Sequence, residues 1–436
     1  MYMAITTRTI SSLDDLKTFI KEGKPALYHA SKTSTVIPFD QIEQFYPDKE
    51  LTLVNLSTLP AVMEMDEDRL MIKGPVTWKE ARGFCHEHGR ELPMWPTEEL
   101  ACVLSGIATS ATGERSFNAG SLRAQVDEVT YLNHRAEEIV LSSQKALDSF
   151  EMYDKIQKGF REFKNAPFPY LSMEIDLMIG TEGQLGVITE AVLRTKPLEN
   201  TEVLFIKVPQ WEEDYSLHIK IMNKVQEFRN QFYCVELLDS NSLEFIEKEK
   251  RPDAEGDLIF LEYGVKLQDF VFEHFVTPLG LEDQVFVMEA AKFKEFRMEV
   301  PRGVQEYNSR NGVVKKGTDV QVRHMDFRKL LDLYRELAKS GIRYLLFGHF
   351  GDAHLHFNLL AKTDQVEDCT KLMSEFYDKI TDMKCSPFAE HGIGLIKQNY
   401  VRPFYTKEHF DTFKKLKDLH DPKRQFFPGG FMEMTP

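Results

Sequence analysis

The chain reads as an α+β protein of two or three domains, and three observations predict this. At 436 residues it is longer than one ordinary hydrophobic core supports. Residues 51–73 read as short strands separated by turns, and the apolar run Tyr344–Phe347 reads as a buried strand ended by a Gly/Asp turn. Near residue 201 the character changes, from short strands and Gly-rich turns to strands alternating with long charged helices.

The elements follow in order. Residues 12–23 form a capped helix pattern, with Ser12 as cap, Asp15 three residues on and Gly23 as terminator. PALYHASKTSTV is a strand entering a Ser/Thr-rich turn, residues 51–73 are short strands between turns, and Trp78–Gly89 is an amphipathic helix. Residues 141–167 are polar with a helical pattern. Leu177–Ile179 read as the end of a strand, and Gly180, Gly183 and Gly186 as a backbone turn against a ligand. Val187 to Leu193 start the next strand, and Pro197 closes the domain. Beyond it, strands at 202–208 and 257–265 alternate with helices such as 211–230 and 325–340, giving one sheet covered by helices.

Composition narrows the function. With 42% hydrophobic and 28% charged residues the chain has the make-up of a soluble globular protein. A net charge of −15 argues against nucleic acid as a partner, because neutralising phosphates requires basic patches. An anionic substrate held by local Arg and Lys is compatible with it. The cysteines Cys85, Cys102, Cys234, Cys369 and Cys385 form no CxxC pair, so neither a thiolate cluster nor a disulfide framework is expected. No run approaches 18 apolar residues, and the start lacks a basic-then-apolar leader layout. A cytoplasmic location is the expectation, with peripheral membrane contact and a homodimer left open.

Most residues able to do chemistry lie between 344 and 397. In YLLFGHFGDAHLHFNLL, an apolar run from Tyr344 leads into a glycine turn and then a strand. Period-2 alternation puts His354, His356 and Asn358 on one face and Leu355, Phe357 and Leu359 on the other. SPFAEHGIGLIK adds Glu390 and His391. His349, His356 and Glu390 could meet around one metal ion, and two imidazoles with one carboxylate leave positions open, as a catalytic site requires. A lone histidine is more often a satisfied core or surface residue. Three histidines within eight residues beside a glycine turn, with a Glu-His pair beyond, weigh against that here.

These motifs carry a family resemblance. GHFGDAHLHFN resembles the GHxGDGNLHxN motif of the flavin-dependent D-2-hydroxy-acid dehydrogenases (D-lactate, D-2-hydroxyglutarate and glycolate-oxidising enzymes). These belong to the vanillyl-alcohol oxidase / p-cresol methylhydroxylase superfamily. AEHGIGLIK resembles the family's second signature, and the 34 residues from His356 to Glu390 are its usual spacing. The resemblance implies His349, His356 and Glu390 as ligands of a divalent metal (Zn or Mn) and His391 as catalytic base. FRMEVPRGV and VVKKGTDVQV resemble the segments that hold the substrate carboxylate, implying Arg297 and Lys316 for that role and Asn358 as a polar contact. The chain departs from the family at Ala353 and His354, where Gly-Asn is usual, at Arg323 for proline and at Phe427 for asparagine.

On the flavin side, DLMIGTEGQLGVITEAVLRTKP resembles the superfamily's DLFxGSEGTLGIITxAxLxLxP. LPMWPTEELACVLSGIATSATGERSFNAGSLRAQV follows its other signature, with Pro96, Gly106, Ala108, Ala111, Gly113, Gly120 and Arg123 in register and Ser105 in place of a glycine. The resemblance implies FAD held by Ala30, Ser31, Lys32, Thr33 and Ser34, by Pro96, Gly106, Ser110, Ala111, Gly113 and Gly120, and by Gly180, Glu182, Gly183, Gly186, Val187 and Ile188. Residues 30–32 replace the three glycines of the family's phosphate loop, with Lys32 able to supply a point charge instead.

The implied fold is a two-subdomain FAD-binding domain of p-cresol methylhydroxylase type over 1–200, then an α+β cap domain with an antiparallel sheet over 201–400. Residues 401–436 would return to the FAD domain. The implied reaction oxidises a D-2-hydroxy acid and passes electrons to a quinone, an electron-transfer protein or oxygen. Two other classes compete: a non-catalytic binding protein that kept the fold and lost FAD, and a metal-dependent hydrolase built on His349, His356 and Glu390.

Overall fold

The computed structural model describes residues 5–47, 49–147, 151–252 and 255–436, except the side chains of residues 151, 290, 291, 294 and 297. The chain folds as two compact units. The first comprises Met1–Gly113, Gly120–Leu198 and Glu390–Pro436, and the second Glu114–Ala119 and Glu199–Ala389.

The first unit holds a parallel three-stranded sheet, with Leu51–Asn55 between Ile5–Thr9 and Ala26–His29. A helix over Leu13–Glu22 packs on it through Leu16, Phe19 and Ile20. Ser12 Oγ accepts the Asp15 N–H at 3.1 Å, and Gly23 ends the helix in the left-handed region, as the local sequence dictates. An antiparallel five-stranded sheet follows in the order Val62–Asp66, Arg69–Lys73, Val187–Arg194, Val126–Leu132, Glu138–Ser142. The helix Trp78–Glu87 carries a full capping box between Thr77 and Glu80. The C-terminal segment lies alongside Ala26, whose N–H donates to Gln425 O at 2.9 Å and whose carbonyl accepts Phe427 N–H at 3.0 Å.

Two local expectations fail here. Leu177–Ile179 do not end a strand: Glu174–Leu177 is a 3-10 turn leading to Gly180. The buried Asp176 carboxylate takes the N–H groups of Ser172 and Met173 at 2.8 Å each and pairs with Arg123, and this local bonding overrides the apolar run. In 141–167 the described helix is limited to Glu151–Lys158, and Glu138–Ser142 is instead the outer strand of the sheet.

The second unit is built on a nine-stranded sheet. Its main path runs Val285–Glu289, Thr201–Val208, Asp257–Gly264, Phe232–Leu238, Tyr344–His349, His354–Ala361, Val320–Val322, Cys385–Ser386, and Val314–Gly317 also pairs with His354–Ala361. Every pairing is antiparallel. One face packs on the helix Ala290–Asn311, with Phe293, Phe296, Val300 and Val304 meeting Phe205, Phe260, Leu345 and Leu360. On the other, Phe357 stacks between Tyr344 and Tyr334 at 4.6 and 5.2 Å, and Tyr334 stacks in turn on Phe376 of the helix Val366–Ile380. The α+β class and the antiparallel cap sheet agree with the sequence. Among the described residues no helix is long and apolar enough to cross a membrane.

Candidate functional site

The sheet register of the second unit assembles a polar row from distant parts of the chain. His349 pairs with His354, and Gln321 pairs with both His354 and Ser386. Continuing the pairing of Leu237 with Gly348 puts Glu236 beside His349. Directly paired residues project to the same side, so Glu236, His349, His354, Gln321 and Ser386 line one face across five strands. His356 is two residues from His354 on that face, and Asp319 falls opposite it.

Three imidazoles therefore converge. Their ring centroids are 5.3 Å (His349–His354), 4.7 Å (His354–His356) and 6.0 Å (His349–His356) apart, and one ring nitrogen of each lies within 4.8 Å of the others. Each ring is anchored through one nitrogen: His349 Nδ1 to Glu236 Oε1 at 2.8 Å, His354 Nε2 to Asp319 Oδ1 at 2.9 Å, His356 Nδ1 to Thr318 O at 3.1 Å. Anchoring one nitrogen to a carboxylate or carbonyl aims the other, which is how metal-binding histidines are held. The two carboxylates are buried, Glu236 at 4% and Asp319 at 1% exposure. This donor set fits a divalent cation. Gly348 makes it sterically possible: at φ +130°, a Cβ there would sit 3.0 Å from the His356 ring.

The other expected residues distribute as follows. Asn358 shares the face of His356 and donates to His356 O at 3.3 Å. Lys316 pairs with Leu359, so the register turns it to the opposite face, towards Cys369 of the covering helix; Lys315, paired with Leu360, takes the face of His356. The structure thus does not bring Lys316 to the histidines. Arg297 lies on the helix that covers their face, but its side chain is outside the described ones. Arg323 keeps φ at −67°, the value proline would impose, and pairs with Asp326. Ala353, where the family has glycine, sits in the left-handed region at φ 51°. Glu390 and His391 open the last segment of the first unit. The residue before them, Ala389, is pinned by its N–H to Asp319 O at 3.0 Å. Glu236, Asp319, Gln321 and Ser386 escaped the sequence reading because only the long-range register reveals them.

In the first unit the expected flavin-side turns are tied together. Gly180 and Glu182 donate their N–H groups to Ile107 O (3.3 Å) and Ala108 O (2.8 Å), Ala111 N–H to Gly106 O (2.8 Å), and Leu122 N–H to Ala111 O (2.9 Å). Ser110, at φ 52°, exchanges hydrogen bonds of 2.7 Å with Asn165. Gly113 packs against the Trp95–Pro96 turn, and Gly120 precedes Ser121 with φ 75°. Gly186 touches Tyr131, whose ring a Cβ would meet at 2.5 Å, while Val187 and Ile188 pair with Leu132 and Tyr131.

The Glu182 carboxylate accepts the Ile393 and Gly394 N–H groups at 2.6 and 3.0 Å. Burial nevertheless pushes its pKa up to about 7, against the pull of those donors and of Lys397. Val36 O accepts Leu395 N–H at 3.0 Å, so the 30–36 turn, the 180–186 turn and segment 392–395 converge. Among the described residues, none of the main-chain N–H groups from Ser31 to Thr35 donates a hydrogen bond. With the Thr33 and Ser34 hydroxyls and the Lys32 ammonium, that donor set fits a pyrophosphate. Lys32 takes the left-handed φ of 56° that glycine would adopt without strain.

Comparison with known proteins gives the following similarities. Residues 288–430 match the family described as FAD linked oxidases, C-terminal domain. The chain is 27% identical over 390 residues to a D-lactate dehydrogenase of Archaeoglobus fulgidus, covering 84% of this chain and 78% of the relative. It is 24% identical over 384 residues to a D-2-hydroxyglutarate dehydrogenase of Xanthomonas citri pv. viticola, covering 84% and 75%. A solved alkyldihydroxyacetonephosphate synthase superposes with a TM-score of 0.68 at 12% identity, over 97% of this chain and 76% of that one, a likeness of fold.

Proposed function

We propose, for a chain that belongs with the FAD-linked oxidases and whose homologues are hydroxy-acid dehydrogenases, that it oxidises a D-2-hydroxy acid of the D-lactate or D-2-hydroxyglutarate type to the 2-oxo acid. The observation that carries this reading is the face of three anchored histidines in the second unit. When bound, FAD supplies the acceptor for the hydride leaving C2, and a divalent cation supplies Lewis acidity at the substrate hydroxyl.

The chain's own residues do the rest. His349 and His356 present nitrogen donors from a rigid sheet, and Glu390, carried over from the resemblance and joined to the pinned Ala389, adds a carboxylate. His391 takes the hydroxyl proton, a contribution typically worth about 10²–10⁴-fold. Arg297, on the helix covering the histidine face, orients the substrate carboxylate, a task that suits a guanidinium fork. The register favours Lys315 over Lys316 as its partner. In the first unit the unpaired N–H groups of 31–35 and Lys32 bind the FAD pyrophosphate. Electrons leave to a quinone, an electron-transfer protein or oxygen, and a cytoplasmic location belongs to the same proposal.

The test is anaerobic mixing of the purified yellow protein with D- and L-lactate and with D- and L-2-hydroxyglutarate, following flavin bleaching. Reduction by one D-acid, slowed several orders of magnitude in His391→Asn with FAD retained, is the expected result. A protein that purifies without flavin and takes up none would favour the non-catalytic alternative. Equal reduction by both enantiomers would overturn the stereochemical assignment.

A further inference from the structure

We propose that the metal centre holds three imidazoles, with His354 as a nitrogen ligand beside His349 and His356, and that it therefore selects Zn²⁺ over Mn²⁺. This rests on the metal reading above and deepens it. His354 stands where the resembling family has asparagine, so no motif assigns it a role.

Register and geometry carry the inference. His354 is paired directly with His349 and shares the face of His356, and its ring is nearer to His356 (4.7 Å) than either is to His349. Its Nε2 is anchored on Asp319 as His349 Nδ1 is on Glu236. The two arrangements are the same device: a buried carboxylate fixes one ring nitrogen and directs the other towards the shared centre. Charge calls for a cation at this centre. Glu236 and Asp319 bring two negative charges into a site whose three histidines are 0–7% exposed, and uncompensated buried charge is costly. A dication at the shared centre offsets the Glu236 and Asp319 carboxylates. Chemistry then sets the preference, because adding imidazole to a carboxylate-containing set moves it towards Zn²⁺ and away from the oxygen-seeking Mn²⁺.

The bland alternative is that His354 is an imidazolium paired with Asp319, a structural ion pair beside a two-histidine site. The experiment separates them. The protein is stripped with chelator, FAD content is checked, and Zn²⁺ and Mn²⁺ are titrated calorimetrically into wild type, His354→Asn and His356→Ala. Disturbing a partner one shell out commonly costs ten- to hundredfold in affinity, so loss of a ligand should weaken Zn²⁺ by at least about 10²-fold and lower the Zn²⁺/Mn²⁺ preference. FAD content should stay near wild type in His354→Asn, and its circular dichroism should show the sheet formed. If wild type binds neither ion, the metal reading itself falls. If wild type and His354→Asn bind Zn²⁺ equally while His356→Ala does not, the two-histidine site stands and the third ligand is overturned. Should His354→Asn fail to fold, zinc-edge absorption on the wild-type protein counts imidazoles directly. Three supports the proposal and two overturns it.

Discussion

Lys417 is the residue whose removal should most clearly reveal how the C-terminal segment holds the flavin-side turn. It is fully buried, and its ammonium donates to Gln184 O at 3.0 Å, Phe426 O at 2.8 Å and Asp421 Oδ2 at 2.7 Å. Asp421, also fully buried, accepts the N–H groups of Gln425 and Phe426 at 2.9 Å each. Lys417→Met removes the cation and leaves that carboxylate with two dipoles for company. Breaking one partner of such a pair costs about 3–5 kcal/mol, and the strain falls on the carbonyl of Gln184, between Gly183 and Gly186. In Lys417→Met/Asp421→Asn the fully buried pair is gone and the charge left is that of the partly exposed Glu433, whose Oε1 lies 3.4 Å from the Lys417 ammonium, so the double variant should lose less than the single, about 1–3 kcal/mol of hydrogen bonding. Urea unfolding followed by the fluorescence of released flavin reads the first unit selectively. The single variant should release FAD at much lower urea than wild type, with partial recovery in the double. A single-variant loss under about 1 kcal/mol, or a double-variant loss equal to the sum of the singles, would refute the reasoning.

Two further outcomes are expected. Glu182 has a carboxyl raised from 4.5 to about 7, so it favours the fold while protonated, and that contribution is lost as pH rises from about 4.5 through about 7. The thermal midpoint of the wild type should therefore decline across that window more than that of Glu182→Gln; parallel curves would show that Glu182 does not titrate there. Gly348→Ala puts a methyl 3.0 Å from the His356 ring and 3.2 Å from His354 O in a backbone conformation that disfavours it. It should lose bound metal with FAD retained, as measured by elemental analysis and absorbance, and full metal occupancy would contradict the packing described.

Much of this was legible in local sequence. Ser12 and Gly23 bracket their helix, the amphipathic pattern from Trp78 forms a helix, and the strand that begins after Gly186 begins where the turn chemistry puts it. The alternation of His354, His356 and Asn358 correctly gave one face, because a period of two survives any tertiary context. What local reading missed was set by partners far away. Leu177–Ile179 look like a strand until Asp176 is seen capping the preceding turn and holding Arg123. Lys316 sits in a plausible motif, but its side is decided by the pairing of Gly317 with Asn358, which no local pattern encodes. Glu236 and Asp319 are unremarkable in sequence and acquire meaning only opposite His349 and His356.

The row from Glu236 to Ser386 has a consequence for folding. Its members come from strands spread between Phe232–Leu238 and Cys385–Ser386, so the centre cannot exist in a partly paired chain. A slip of one residue in His354–Ala361 would turn His356 away and bring Leu355 or Phe357 to the face. On the metal reading proposed above, a cation that binds only the correct pairing would proofread strand alignment. At a free concentration one hundred times its dissociation constant it would deepen the native well by about 2.7 kcal/mol, while misaligned sheets gain nothing. Metal supplied during refolding should raise the yield of native protein, and metal added afterwards should not.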